Sequence, residues 1–93
     1  MEELVRTRCT QGWLLITETS IIVELTTFGK TLKSEMMLRS AFVDLDAKAV
    51  GMTLFYKKPV MNLVFHGQGG KVIKAGMVNG EDASAIITLL TGR

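Results

Sequence analysis

The alternation of apolar and polar residues along this chain predicts a series of short β-strands followed by one helix. The clearest stretch is residues 13–25, where two segments rich in strand-forming residues flank a polar break at Glu18-Thr19. We expect a hairpin there. Ile21, Val23 and Leu25 alternate with more polar neighbours, so these three side chains are predicted to face the core.

Residues 31–38 and 41–49 show the same two-residue period. In the first segment, three apolar side chains are predicted to face the core: Leu32, Met36 and Leu38. The residues between them are predicted to face solvent: Lys33, Glu35 and Met37. In the second segment the predicted core-facing set is Ala41, Val43, Leu45, Ala47 and Ala49.

The segment after Asn79 predicts a helix over about residues 80–91. Asn79 can cap its first turn, and Glu81 and Asp82 follow where the helix dipole favours negative charge. Gly92 is placed to end it. The apolar residues of the segment recur at i, i+3, i+4 and i+7: Ala83, Ile86, Ile87 and Leu90. Because so short a helix is marginal alone, we expect this stripe to pack on a sheet.

These elements predict a single domain over residues 1–93, with about seven short antiparallel strands over residues 3–77. Turn signals recur at roughly 8–12-residue spacing, which is typical of a β-sandwich or barrel. One helix cannot cover both faces of a flat sheet. We therefore expect a mainly β fold, a strongly bent partial barrel capped by the C-terminal α-helix. Residues 50–59, which include the single proline, fit this pattern least well.

Composition narrows the classes of function. The chain is 47% hydrophobic and 22% charged with a net charge of +2, too balanced to predict nucleic-acid binding. Cys9 is the single cysteine and the chain begins with acidic residues rather than a secretory leader, so we expect a cytoplasmic setting. No apolar run is long enough for a membrane span. Six methionines and a mean hydropathy of +0.29 favour a homo-oligomer or a protein partner.

Two groups of segments carry a family resemblance. The first is E-L-V at 3–5, G-W-L-L-I-T at 12–17 and S-I-I-V at 20–23; the second is N-L-V-F at 62–65, G-G-K-V-I at 69–73, and D-A-S-A-I-I at 82–87 with Leu90. Together they resemble the entry hairpin, closing hairpin and capping helix of the pleckstrin-homology (PH) superfold, in particular bacterial PH and GRAM-like domains. The resemblance implies a noncatalytic adaptor that binds phosphoinositides or proteins, or that self-assembles. Residues 51–59 depart from the family pattern.

Two groups of residues are candidates for binding. Basic residues near the first hairpins hold the headgroup in lipid-binding PH domains, so the resemblance suggests an anionic-ligand site here: Arg6, Arg8, Lys30, Lys33 and Arg39. Scattered bases on a nearly neutral domain are more often a solvated surface. An apolar, aromatic stretch beside Lys57-Lys58 is a candidate self-association surface, with a place in the core as its alternative: Met52, Leu54, Phe55 and Tyr56.

Residues that could support catalysis are few. Asp44 and Asp46 share a predicted strand face, where exposed acids are ordinary, and His66 and Cys9 lack further metal ligands nearby in sequence. The glycines at 67–70 predict a hairpin turn rather than a phosphate loop. We expect no catalytic, cofactor or metal site and no enzyme. The predicted function is a noncatalytic protein-interaction or self-assembly module, and the alternative is an anionic phospholipid-binding domain at a membrane surface.

Overall fold

The computed structural model describes residues 3–51 and 59–92. Within them the chain forms seven antiparallel β-strands and then one α-helix, which confirms the mainly β fold. Short 3₁₀ turns at 39–41 and 68–70 connect two pairs of strands. The elements in chain order are β1 (Glu3–Cys9), β2 (Gly12–Thr17), β3 (Ser20–Thr27), β4 (Lys30–Leu38), β5 (Phe42–Gly51), β6 (Val60–Gly67), β7 (Val72–Asn79) and α1 (Gly80–Thr91).

The strands form two sheets that do not close into a barrel. The first has the order β1-β2-β3-β4 and the second β5-β6-β7. A hydrogen bond links the two sheets at one corner, where the Thr10 backbone N–H donates to the Gly76 carbonyl at 2.7 Å. In the described part of the chain, β4 and β5 end their sheets as edge strands. This arrangement is consistent with the predicted partial barrel.

The core lies between the two sheets, and α1 packs against it. The large side chains buried there come from both sheets and from the helix: Leu14, Ile16, Ile21, Met37, Leu63, Phe65, Ile73 and Ile86. On the helix, Ala83 and Ile86 are fully buried, while Ile87 and Leu90 are partly buried against the same cluster. The predicted apolar stripe of the helix is therefore confirmed.

Side-chain and backbone bonds set the ends of α1 and attach it to β1. Asn79 Oδ1 accepts the Glu81 backbone N–H at 2.8 Å, as expected of an N-cap. Gly92 adopts a left-handed conformation with φ 75°, and its N–H donates to the Thr88 carbonyl at 2.9 Å. Asp82 in the first turn accepts the buried Thr7 hydroxyl at 2.7 Å.

The predicted faces of β4 are reversed. Met37, expected in solvent, is 2% exposed, whereas Leu32, Met36 and Leu38 are 64%, 49% and 51% exposed. The pairing with β3 explains this, because Met37 lies opposite the buried Ile21 and therefore points to the core. The burial predicted for the apolar residues of this segment was wrong, whereas Lys33 and Glu35 are exposed as predicted.

The set predicted to face the core over residues 41–49 is only partly buried, with Ala41 packed against the core beside Leu45. Leu45 is buried opposite Phe65, but Val43, Ala47 and Ala49 are exposed. The pairing with β6 shifts between Phe42 and Asp44 and again between Ala49 and Gly51. Between these shifts the register is regular and Ala47 lies opposite the buried Leu63. Ala47 and Ala49 therefore share the inward side with Leu45, as predicted, but are exposed on this edge strand.

Candidate functional site

The five basic residues proposed for an anionic ligand do not form one pocket. Arg6 and Arg8 both lie over the Trp13 ring, 4.7 and 5.1 Å from its centroid. Arg6 also pairs with Glu3 at 3.0 Å. Since Arg8 is aligned with Trp13 across β1 and β2, this cluster occupies the outer face of the first sheet, away from the core.

The other three basic residues lie elsewhere. Arg39 donates from Nη1 to the carbonyls of Thr17 and Glu18, at 3.1 and 3.3 Å, and so supports the β2–β3 turn. Lys30 begins β4 at the opposite end of the β3–β4 pair. Lys33 is aligned with Leu25 on the inward side of β4. The structure brings Arg6 and Arg8 together and leaves the remaining bases at separate places.

An open groove of about 430 Å³ lies between the β3–β4 hairpin and β7. Its residues are partly apolar and partly charged: Gln11, Val23, Leu25, Lys33, Glu35, Val72 and Lys74. Within the described ranges, neither Lys33 nor Lys74 forms an ion pair. The charged side chains on the inward side of β4, Lys33 and Glu35, line this groove.

The outer edge of β4 has unpaired backbone groups. Arg39 N–H donates to the Thr19 carbonyl at 2.8 Å, so at position 39 the backbone points towards β3. Because these directions alternate along a strand, Met37, Glu35 and Lys33 also bond β3. The N–H and C=O groups of the even-numbered positions then point outward: Ser34, Met36 and Leu38. They form no backbone bond to any other described segment.

An apolar row crosses the outer face of the first sheet and ends at this edge. Leu15 on β2, Ile22 on β3 and Met36 on β4 are aligned by the strand pairing. Leu15 is 5% exposed, Ile22 is half-buried and Met36 is 49% exposed, so exposure increases towards the edge. We call Leu15, Ile22, Met36 and the adjacent Leu38 the outer apolar row.

Sequence reasoning missed a cross-strand pair on the second sheet. His66 Nε2 lies 2.8 Å from Asp46 Oδ2, with the His66 side chain 40% and the Asp46 side chain 71% exposed. Residues twenty positions apart meet here because β5 and β6 pair with Asp44 opposite His66. Cys9 lies on the other sheet and packs against the core. Among the described residues, no three His, Cys, Asp or Glu side chains are grouped so as to hold a metal ion.

A second missed feature is the tip of the β3–β4 hairpin. Phe28 is fully exposed and has φ 52°, and Gly29 follows with φ 78°. Positive φ is uncommon for a bulky residue. The sequence predicted a turn at 28–30 but gave no sign that its aromatic ring would lie in solvent.

The predicted self-association residues, Met52, Leu54, Phe55 and Tyr56, lie outside the described residues. In the described part of the chain, no helix has the length and apolar character needed to cross a membrane. Comparisons with protein-family models, with curated proteins and with solved structures find no match.

Proposed function

We propose that this chain is a noncatalytic interaction module that self-associates through the outer edge of β4. The observation that carries the proposal is a nine-residue edge strand on which only Met37 is buried. Three of its exposed side chains are large and apolar: Leu32, Met36 and Leu38. Unpaired strand edges of this kind are templates for pairing with another chain.

A second copy suits this edge because both copies present the same surface. Pairing two β4 strands about a two-fold axis gives an isologous interface, in which the outward backbone groups of β4 in one copy meet those of β4 in the other. Pairing also continues the outer apolar row from one copy into the next. Covering Met36 and Leu38 contributes up to about 1.5–3 kcal/mol for each side chain that becomes fully buried.

Sedimentation velocity over a concentration series tests the proposal, with Met36→Glu as the variant. The wild-type chain is expected to form a dimer as its concentration rises. Met36→Glu is expected to remain monomeric, since it places a carboxylate in the apolar row at the interface. Ala85→Glu adds the same charge at an exposed position of α1 and is expected to dimerise like the wild type. A wild-type chain that stays monomeric throughout overturns the proposal.

The second candidate is binding to an anionic phospholipid surface, and the hairpin tip favours it. Phe28 is fully exposed and Lys30 follows two residues later, a pairing suited to a membrane interface, where an aromatic ring inserts and a cation meets headgroups. Flotation with vesicles containing phosphatidylserine tests this at low salt. Binding that Phe28→Ser and Lys30→Glu each weaken supports it, and no flotation of the wild-type chain rejects it.

A further inference from the structure

We infer that the two copies pair through antiparallel β4 strands whose two-fold axis passes at Ser34. This inference rests on the proposed self-association and adds the register of the interface. In such a pairing, a residue and the residue directly opposite it lie on the same face of the joined sheet. Positions equally far from the axis on either side are therefore opposite one another.

The charges on the inward face of β4 discriminate between registers. An axis at Ser34 places Lys33 opposite the partner's Glu35, and symmetry makes this pair twice. Cross-strand pairs of opposite charge stabilise a sheet, whereas like charges directly opposite destabilise it. Within the described residues, neither Lys33 nor Glu35 has an ion-pair partner of its own, so both charges are available to the second copy.

Neighbouring registers lack this complementarity. An axis at Lys33 or at Glu35 places that residue opposite its own copy, which brings like charges together. An axis at Met36 places Glu35 opposite Met37, a side chain that is already buried in the core. An axis at Met37 places Glu35 opposite the partner's Arg39, but the Arg39 guanidinium already binds two carbonyls of the β2–β3 turn. Repulsion between like charges and side chains that already have partners disfavour these registers, which leaves the axis at Ser34.

The outer face and the backbone agree with an axis at Ser34. Ser34 and Met36 are among the positions whose backbone groups point outward, so Ser34 meets the partner's Ser34 as a hydrogen-bonded pair. Leu32, which is 64% exposed, comes opposite the partner's Met36. The β3–β4 pairing shifts between Leu25 and Thr26, opposite this part of β4. The shift leaves Leu32 without a partner on β3, so the regular part of β4 begins at Lys33 and includes Ser34 and Glu35 at the centre of the proposed pairing.

Charge reversal tests the register through a mixing experiment. Lys33→Glu and Glu35→Lys each place two like-charged pairs across the axis, so each alone is expected to dimerise about tenfold more weakly or worse. Mixed in equal amounts, the two variants again place opposite charges together and are expected to form a heterodimer near wild-type affinity. The double variant K33E/E35K is expected to recover the homodimer. Sedimentation velocity measures all four.

A cross-link supplies a second readout that does not depend on charge. In a Cys9→Ser background, Ser34→Cys is expected to form a disulfide-linked dimer when diamide oxidises the two thiols, because a hydrogen-bonded pair has Cα atoms about 5.5 Å apart. Ser40→Cys, exposed just beyond β4, is the control and is expected to stay unlinked. Efficient linking at Met36→Cys but not at Ser34→Cys would place the axis at Met36 and overturn the inference.

The possible results distinguish the Ser34 register from self-association through β4. A wild-type chain that stays monomeric overturns both the register and the self-association. A wild-type dimer that Met36→Glu disrupts keeps self-association. If the charge variants then fail to recover on mixing and Ser34→Cys does not cross-link, the Ser34 register is wrong while self-association stands.

Discussion

At the scale of single residues, Phe28 stands out because it has no stabilising role within the described monomer. Its ring is fully exposed and its φ of 52° is one that side chains with a Cβ adopt at a cost. With Gly29 also at positive φ, the turn has the handedness of a type I′ hairpin, for which Asn-Gly is favoured. The residue at the first turn position is therefore suboptimal for folding.

Phe28→Asn is expected to stabilise the folded chain by about 0.5–1 kcal/mol, because asparagine tolerates the left-handed region that phenylalanine disfavours. Urea unfolding followed by circular dichroism measures the change. Phe28→Ala is the matched control, since it also removes the ring but keeps a side chain ill suited to positive φ. Equal gains from both variants would show that relief of backbone strain is not the cause.

At the scale of elements, the sequence predicts where strands and the helix lie better than which way the strands face. The β2–β3 hairpin was located correctly by its strand-forming residues and polar break, although Leu25, predicted to face the core, is 40% exposed. The helix α1 was predicted correctly because its apolar residues lie on one stripe. On β4, apolar residues occupy both faces, so Met36 and Met37 were assigned the wrong way round. Only the pairing of Met37 with Ile21 decides the matter, and that pairing is a property of the folded sheet.

The candidate site depends even more on tertiary placement. That β4 is an edge follows from the strand order, and the sequence pattern alone does not give that order. The Asp46–His66 pair likewise needs the β5–β6 register. The predicted anionic site grouped Arg6 with Arg39 because the family resemblance suggested that bases near the first hairpins converge, yet in the fold Arg6 lies over Trp13 and Arg39 binds the β2–β3 turn. The functional class stays a prediction, and the edge of β4 proposed for it was not located from the sequence.

Attachment of the helix to β1 gives a prediction at this scale. Asp82→Ala removes the acceptor of the buried Thr7 hydroxyl and is expected to lower the free energy of unfolding by about 1–3 kcal/mol. In a Thr7→Val background, Asp82→Ala is expected to cost less, because no buried hydroxyl is left without a partner. A double-mutant cycle in urea measures the difference. The same loss in both backgrounds would mean that the Thr7–Asp82 bond contributes nothing to stability.

At the scale of the whole molecule, the two sheets are joined on one side and separate on the other. The Thr10–Gly76 bond fastens the β1–β2 turn to β7, and α1 packs over the core. Among the described strands, the edge strands β4 and β5 follow one another in the chain through the turn at 39–41. The unpaired edge of β4 is where we propose that a second copy extends the sheet.

Hydrogen exchange measured at several protein concentrations can detect such an extension amide by amide. In dilute solution, the amides of Lys33, Glu35 and Met37 are expected to be protected by β3, and those of Ser34 and Met36 to exchange quickly. As concentration rises, protection is expected to appear at Ser34 and Met36, since the partner's carbonyls now accept from them.

Ala47 provides an internal control. The Gly67 N–H donates to the Lys71 carbonyl, so by alternation the Ala47 amide points outward from the other free edge. Protection that rises equally at Ala47 and Ser34 would indicate nonspecific association instead of pairing through β4. A rise in protection confined to Ser34 and Met36 would identify β4 as the surface at which the copies meet.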